Sequence, residues 1–342
     1  MFSTSNVTHA QGRDGEYIER SGEAREQRSE DEMADETTAN ALSAFSDQLA
    51  DVVAKAARSI VTVAARPRQT ATGILWKTEN ETIVLTADHV VEREDDIKVT
   101  LPDGKEVKAQ LIGRDPGTDL AALRLPADAL GADAQAAETG ATLRPGHLVL
   151  AIGRPGSDGA RVSFGVVSAI DGPRRSWHGG EIEGVIYADV TLYPGFSGGP
   201  LVDLAGKVVG LNSSHLTRQN SSAIPLVTLD RVAKTLLTHG RVRRGYLGIG
   251  TQQVPLPEAL AQKASLTQES ALLVVNVEAG SPADKGGLML GDLLVLVGDQ
   301  PVIDVDSLRA QLTSDKLDQA IAVRILRGGE VQNLTITLGE RK

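Results

Sequence analysis

From Ala41 to Arg58 the apolar positions Leu42, Phe45, Leu49, Val52, Val53 and Ala56 recur at helical spacing, which predicts a short amphipathic helix. Beyond it the period shortens. Ser59–Ala64, Gly73–Trp76, Thr82–Thr86 and Ile97–Leu101 are β-branched runs, and Pro102-Asp103-Gly104 turns the chain back into Val107–Ile112. Further strands are predicted at His147–Ile152, Arg161–Ile170, Gly184–Val190, Pro200–Leu204 and Lys207–Asn212. Short strands at this spacing point to a mainly β barrel or sandwich rather than an alternating βαβ chain. Leu226, Leu229, Val232, Ala233, Leu236 and Leu237 then line one face of a helix from Pro225 to Thr238, which Gly240 ends. After Arg241-Val242-Arg243-Arg244 the pattern restarts as a smaller α+β unit. Residues 1–40 are too polar to bury a core and are expected to be disordered. The chain therefore divides into a tail (1–40), a large β unit (41–240) and a small unit (241–342).

Charge sharpens this division. The 342 residues hold 35 Lys and Arg against 45 Asp and Glu, a net −10. Ten acidic and four basic side chains fall in residues 1–40, leaving 31 basic and 35 acidic across the rest. An acidic tail on a near-neutral body lacks the phosphate-neutralising charge of a nucleic-acid binder. The absence of cysteine excludes disulfides, thiol nucleophiles and thiolate metal sites. There is no apolar run long enough for a membrane span, and the first forty residues have no leader-like apolar core. A cytoplasmic location is expected on that ground.

Chemistry concentrates at three places. A lone histidine is more often surface or satisfied core than catalytic, but His89 ends the strand Thr82–Thr86, where a side chain is delivered to a cleft. Asp119 follows in Gly117-Thr118-Asp119-Leu120-Ala121, flanked by apolar sequence, and a buried carboxylate there needs a partner. Ser197 lies in Pro194-Gly195-Phe196-Ser197-Gly198-Gly199-Pro200, whose glycines and prolines impose an unusual backbone path. The window fits G-x-S-x-G, yet a hydrolase elbow needs a helix directly after the serine, and here a strand and hairpin follow. The order His, Asp, Ser is instead that of the chymotrypsin-type triad. Gly248-Ile249-Gly250 lacks the third glycine of a dinucleotide fingerprint, Gly206-Lys207 is not a P-loop, and no zinc spacing occurs, so no cofactor or metal is expected.

These stretches, with Thr86-Ala87-Asp88-His89-Val90-Val91, Ala223-Ile224-Pro225, Arg244-Gly245-Tyr246-Leu247-Gly248-Ile249 and Gly280-Ser281-Pro282-Ala283, resemble an HtrA/Deg-type serine protease over roughly residues 42–342. The resemblance implies a chymotrypsin-like double β-barrel followed by one PDZ domain. It also implies an endopeptidase acting on unfolded or misfolded protein segments. His89 would be the general base, Asp119 its orienting carboxylate and Ser197 the nucleophile, with the N–H groups of Gly195 and Ser197 as oxyanion hole. Thr191 and Leu192 would lie near the floor of a small apolar specificity pocket, and Leu211-Asn212-Ser213 would be the strand that pairs with substrate. Tyr246, Leu247, Gly248 and Ile249 would form the PDZ loop that binds peptide C-termini. Leu308 and Leu312, four apart on a predicted helix, would face the peptide groove or the core, the core being the safer assignment. A homotrimer built around the N-terminal edge, with Phe45 at the contact, is also implied. Most bacterial relatives work outside the cytoplasm, so a periplasmic location is the alternative.

The sequence departs from the family in three places. Phe196 and Tyr193 stand where asparagines are usual, and Asp88 stands where a small residue is common. These bear on the geometry of the oxyanion loop. They raise a second reading, a catalytically silent PDZ-bearing scaffold; a lipase or esterase is a third.

Overall fold

The computed structural model describes residues 40–156, 158–176, 180–217, 221–243, 245–263, 265–313 and 316–340. The expected disordered tail thus lies, residue 40 apart, outside the described residues. The chain begins with helix α1 over residues 40–57. Its later face, Leu49, Val52 and Val53, packs on the core between the barrels, while Leu42 and Phe45 are exposed.

Six strands follow: β1 (Ile60–Ala64), β2 (Ala71–Lys77), β3 (Thr82–Thr86), β4 (Ile97–Thr100), β5 (Glu106–Asp115) and β6 (Leu120–Arg124). They close as a barrel in the order β1-β2-β3-β6-β5-β4, all neighbours antiparallel. A second barrel closes as β11-β14-β13-β12-β7-β8. Its strands are β7 (Leu148–Gly153), β8 (Arg161–Asp171), β11 (Val185–Ala188), β12 (Pro200–Val202), β13 (Val208–Ser213) and β14 (Ser222–Pro225), and a two-stranded ribbon, β9 (Arg174–Arg175) with β10 (Glu181–Ile182), extends from it.

Alternation along each strand sends one set of side chains into a barrel and the other into the seam between barrels. Val61, Val63, Leu75, Val84 and Leu123 fill the first barrel. Val149, Ala151, Leu201, Val209 and Phe196 fill the second. Ile60, Ile74, Leu85, Ile152, Val208 and Leu211 meet in the seam. Helix α2 (Leu226–His239) lies on that seam through Leu229, Val232, Ala233 and Leu236. Each buried leucine or valine on this face stabilises by about 1.5–3 kcal/mol. Gly240, at φ 71°, caps α2 by donating to Leu236 O at 2.8 Å. The mainly β fold of two barrels and a small α+β unit is thus as expected.

The C-terminal unit comprises β15 (Gly245–Tyr246), β16 (Ile249–Pro255), α3 (Glu258–Lys263), β17 (Ser270–Val277), α4 (Pro282–Lys285), β18 (Leu293–Val297), β19 (Gln300–Pro301), α5 (Val305–Gln311), β20 (Ala320–Arg327), β21 (Glu330–Thr337) and β22 (Gly339–Glu340). Its main sheet runs β16-β17-β18-β20-β21, so β16 is an edge strand; β15 pairs with β22 beside it. Leu308 is buried and Leu312 partly buried against the core, as expected. The connection to the barrels is tight. Arg241 forms a parallel bridge with Arg114 of β5 and an ion pair with Glu340 of β22 at 2.9 Å.

Candidate active site

The cleft between the barrels collects the three singled-out residues. His89 sits in a 3-10 turn over Asp88–Val90 directly after β3. Asp119 ends the tight β5–β6 connection at φ 56°, a left-handed conformation that aspartate tolerates better than most side chains. That connection is braced within itself, with Gly117 N–H and Thr118 Oγ1 donating to the Asp115 carboxylate at 3.1 and 2.7 Å. His89 Nδ1 lies 2.9 Å from both Asp119 oxygens, and the His89 backbone N–H donates to Asp119 Oδ1 at 3.0 Å. Ser213 Oγ donates to Asp119 Oδ2. The carboxylate is nearly buried, with these donors in place of water.

Ser197 is brought into the same cleft, 8% exposed. Its Oγ shares a hydrogen bond of 3.1 Å with Ser214 Oγ; among the described residues none joins it to His89. The loop before it is a turn closed by Phe196 N–H donating to Tyr193 O at 3.0 Å. Pro194 and Gly195, at φ 88°, occupy the corners that a type II turn assigns to them. A Cβ on Gly195 would stand 2.4 Å from Pro155 Cβ, so only glycine fits. Gly195 O is held by Thr72 Oγ1 at 2.6 Å, and Gly198 and Gly199 donate to Asn212 O and Phe196 O. Gly195 and Ser197 themselves have no partner for their N–H groups among the described residues. Two adjacent free donors beside a hydroxyl are what a developing oxyanion requires.

The departures now have a physical account. Phe196 is fully buried in the second barrel, its ring against Gly153, with Tyr193 edge-on to it at 5.4 Å. It anchors the loop from beneath. Asp88 is paired with Arg114, whose Nε lies 2.5 Å from Asp88 Oδ1. Burial pushes the Asp88 carboxyl above the usual carboxylate range, against the pull of that guanidinium.

The substrate strand needs correcting. Leu211 is fully buried in the seam with ladder partners on both sides, Pro200 of β12 and Ile224 of β14, and Asn212 pairs with Ala223 of β14. Asn212 N–H and O are taken by Gly199 and Gly198, and Ser213 is committed to Asp119. No edge is left on Leu211 and Asn212 for a substrate to join, whereas the Ser213 backbone has a ladder partner only in Ser222 of β14. The first residues beyond the end of β13 are Ser214 and His215, which the sequence reasoning did not assign to the site. The signal was their position directly after the strand that delivers Ser213. Thr191 is exposed, its N–H on Ser163 Oγ at 2.8 Å, and Leu192 is partly buried against the second-barrel core.

In the C-terminal unit Leu247 and Gly248 likewise have no partner for their N–H groups among the described residues. Gly248 adopts φ 79°, and a Cβ on it would lie 2.3 Å from Ser281 Cβ. Tyr246 Oη donates to Glu278, while Leu247 O and Gly248 O accept from Ala283 and Glu278, each at 2.9 Å. Ile249 begins the edge strand β16. Among the described residues no group of three or more His, Asp or Glu could hold a metal, and no helix is long and apolar enough to cross a membrane.

Two family models match along the chain. Residues 71–211 match the trypsin-like peptidase domain and residues 245–338 the PDZ domain. A probable periplasmic serine endoprotease, DegP-like, of Pseudomonas savastanoi pv. phaseolicola is 38% identical over 263 residues, 75% of this chain and 53% of that protein. A protein of the same description from Halomonas elongata is 35% identical over 262 residues, 75% of this chain and 54% of its own length. The chain thus spans about half the length of these curated relatives. Among solved structures, the HtrA-type protease AlgW with a decapeptide superposes at a TM-score of 0.66 with 30% identity, covering 86% of this chain and 99% of that one. The serine endoprotease from Yersinia pestis gives 0.66 and 28%, with 85% and 97% covered. The relatives are named periplasmic, which overturns the cytoplasmic expectation. A missing leader-like stretch in the first forty residues was not sufficient ground for a compartment.

Proposed function

The chain belongs to the HtrA-type serine proteases, and from that premise we propose that it is a periplasmic endopeptidase cleaving unfolded or misfolded protein segments. Residues 41–240 form its peptidase unit, and residues 241–342 bind peptide C-termini. The observation that carries the proposal is the pairing of His89 Nδ1 with Asp119 at 2.9 Å beside a serine flanked by two free N–H groups.

In this mechanism Asp119 fixes the imidazole tautomer with the proton on Nδ1, leaving Nε2 as the base. Ser197 Oγ swings from Ser214 to His89 as substrate enters, gives up its proton and attacks the carbonyl. The resulting oxyanion is met by Gly195 and Ser197 N–H; losing one such donor costs about 3 kcal/mol of barrier. His89 then protonates the leaving amine, and water repeats the sequence on the acyl-enzyme. Thr191 and Leu192 offer no carboxylate to pair with lysine or arginine, so a small apolar residue before the scissile bond is favoured. Substrate backbone joins the chain from Ser213 onward.

Exposed Leu42 and Phe45 on α1 are the contact we assign to a homotrimer. At the C-terminal unit, the terminal carboxylate of a peptide takes the N–H groups of the Tyr246-Leu247-Gly248-Ile249 loop, and the peptide adds to the free edge of β16. A silent scaffold is not supported, because Phe196 packs beneath the oxyanion loop and leaves its donors open.

Cleavage of casein, labelling by an active-site serine probe and loss of both in Ser197→Ala test the reading. Labelling without cleavage of any protein would point to an esterase instead. Neither labelling nor cleavage would point to a scaffold.

A further inference from the structure

Three consecutive residues at the end of β13 each touch a different member of the proposed triad. Ser213 Oγ donates to Asp119, Ser214 Oγ shares its 3.1 Å hydrogen bond with Ser197, and the His215 ring meets the His89 ring edge-on. The ring centroids are 3.8 Å apart and the planes are inclined by 69°. The turn carrying these contacts is itself fixed. His215 and Leu216 N–H both donate to Ser213 Oγ, at 3.2 and 3.1 Å. Leu216 is buried in the seam, and Ser222 Oγ donates to Ser213 O at 3.1 Å. His215 is therefore presented to His89 from a backbone that has little freedom to move.

We propose that His215 is a positioning residue for the base, holding the His89 imidazole in the plane that keeps Nδ1 on Asp119. The proposal rests on the peptidase assignment and deepens it. The torsion that turns an imidazole about its Cβ–Cγ bond is broad, with no sharp staggered wells. Asp119 meets the ring at one nitrogen only, and its two oxygens are equidistant from it. That leaves rotation about the Nδ1 contact as the ring's free motion. The His89 side chain retains 17% exposure, so the barrel does not clamp it on every side. The His215 ring supplies an edge against it. Misplacing a reacting group by about 1 Å can cost about a hundredfold in rate, so a contact this close governs turnover more than stability.

The test uses the full chain with His215→Ala and His215→Phe, each checked for unchanged thermal unfolding. Phenylalanine keeps an aromatic edge and has no ionisable nitrogen, so it separates ring contact from charge. In His215→Ala, kcat on a short chromogenic peptide should fall about tenfold, a fraction of the full misplacement penalty, with KM within about twofold. His215→Phe should recover most of that loss. The His89 Nδ1–H proton resonance, sharp in the unmodified chain and in His215→Phe, should broaden in His215→Ala. An unchanged kcat with an unchanged resonance in His215→Ala would overturn the proposal, as would a loss that phenylalanine does not restore. The resonance is read without turnover. A chain that cleaves nothing yet shows the alanine-sensitive resonance would sink the peptidase assignment and leave the positioning role standing.

Discussion

Two loops of this molecule solve the same problem with different supports. The loop before Ser197 and the loop after Tyr246 each leave two N–H groups without partners among the described residues, Gly195 and Ser197 in one, Leu247 and Gly248 in the other. Each contains a glycine at positive φ, 88° and 79°, in a place where a Cβ would collide. Beyond this they diverge. The first stands on Phe196, fully buried in a barrel, and is tied across the cleft through Thr72 Oγ1 to Gly195 O. The second is held at the surface by Tyr246 on Glu278 and by two backbone bonds. A charge that exists only during bond-breaking is stabilised by donors already in place, since reorganising them would add to the barrier. A permanent carboxylate can supply part of the ordering itself when it binds. The difference in support follows from the lifetime of the charge each loop is read to meet.

The most severe way to break the comparison is at the first loop. Ser197→Ala should abolish casein cleavage, a loss of about 10⁶-fold, and His89→Ala should cost about as much because such groups act as a unit. Asp119→Asn should fold and slow turnover by about 10⁴-fold through the wrong imidazole tautomer. Gly195→Ala, whose Cβ would meet Pro155 at 2.4 Å, should lower kcat by about 10²–10³-fold while leaving peptide binding at the C-terminal unit unchanged. Steady-state kinetics on a short peptide measures all four. Near-normal kcat in purified Gly195→Ala would remove the oxyanion role from that loop.

How much of this was visible beforehand follows a physical line. The face of α2 and its glycine stop were legible, because a buried helix stripe and a left-handed cap leave direct marks on composition. His89, Asp119 and Ser197 stood out as candidates, each at a strand end or a Gly-rich turn, in an order that matched a family, and the fold places them in one cleft. The ribbon β9–β10 and the short strand β14 were not legible, since two to four residues carry too little periodicity. The assignment of Leu211–Asn212 to substrate pairing failed for a topological reason. Alternation marks a strand but not whether it is central or at an edge, and β13 is central. His215 escaped because its contact spans 126 residues of chain, closed by a turn whose geometry rests on the Ser213 hydroxyl. Phe196 looked like a disturbance of the loop until its slot against Gly153 gave it a place in the core.

Support can be removed from beneath each loop in turn. Phe196→Ala should destabilise the chain by about 3–5 kcal/mol, the cost of emptying a buried aromatic site. Denaturant unfolding measures this, and kcat should fall with it because the oxyanion turn loses its floor. Gly248→Ala should be milder. The new Cβ would press on Ser281 and force the loop to shift, raising the Kd of a hydrophobic C-terminal peptide by about tenfold, or about 1.4 kcal/mol. Turnover of a short substrate should stay unchanged. Equal effects of the two variants on turnover would erase the distinction between the loops.

The smallest expected effect concerns whether the two loops sense each other. A continuous set of contacts joins them: Asp88, next to His89, pairs with Arg114; Arg114 bridges to Arg241; Arg241 pairs with Glu340; and Glu340 lies opposite Gly245, two residues before Leu247. Continuity of contacts is not itself coupling. A free peptide that binds the second loop should nevertheless stimulate a short chromogenic substrate unable to reach it, with coupling of about 1 kcal/mol, or about fivefold. If the C-terminal unit only tethers substrates and raises their local concentration, that rate stays flat while the peptide binds. Arg241→Ala then asks whether the ion pair carries the effect. Its guanidinium is 58% exposed, so the pair contributes about 0–1 kcal/mol and its loss can lower the stimulation by less than about fivefold. Arg243 also reaches Glu340, at 3.1 Å, and would retain part of the connection. Stimulation should therefore weaken in Arg241→Ala and weaken further when Arg243→Ala is added. A double variant that responds to peptide as fully as the unmodified chain would show that the loops are linked by another path.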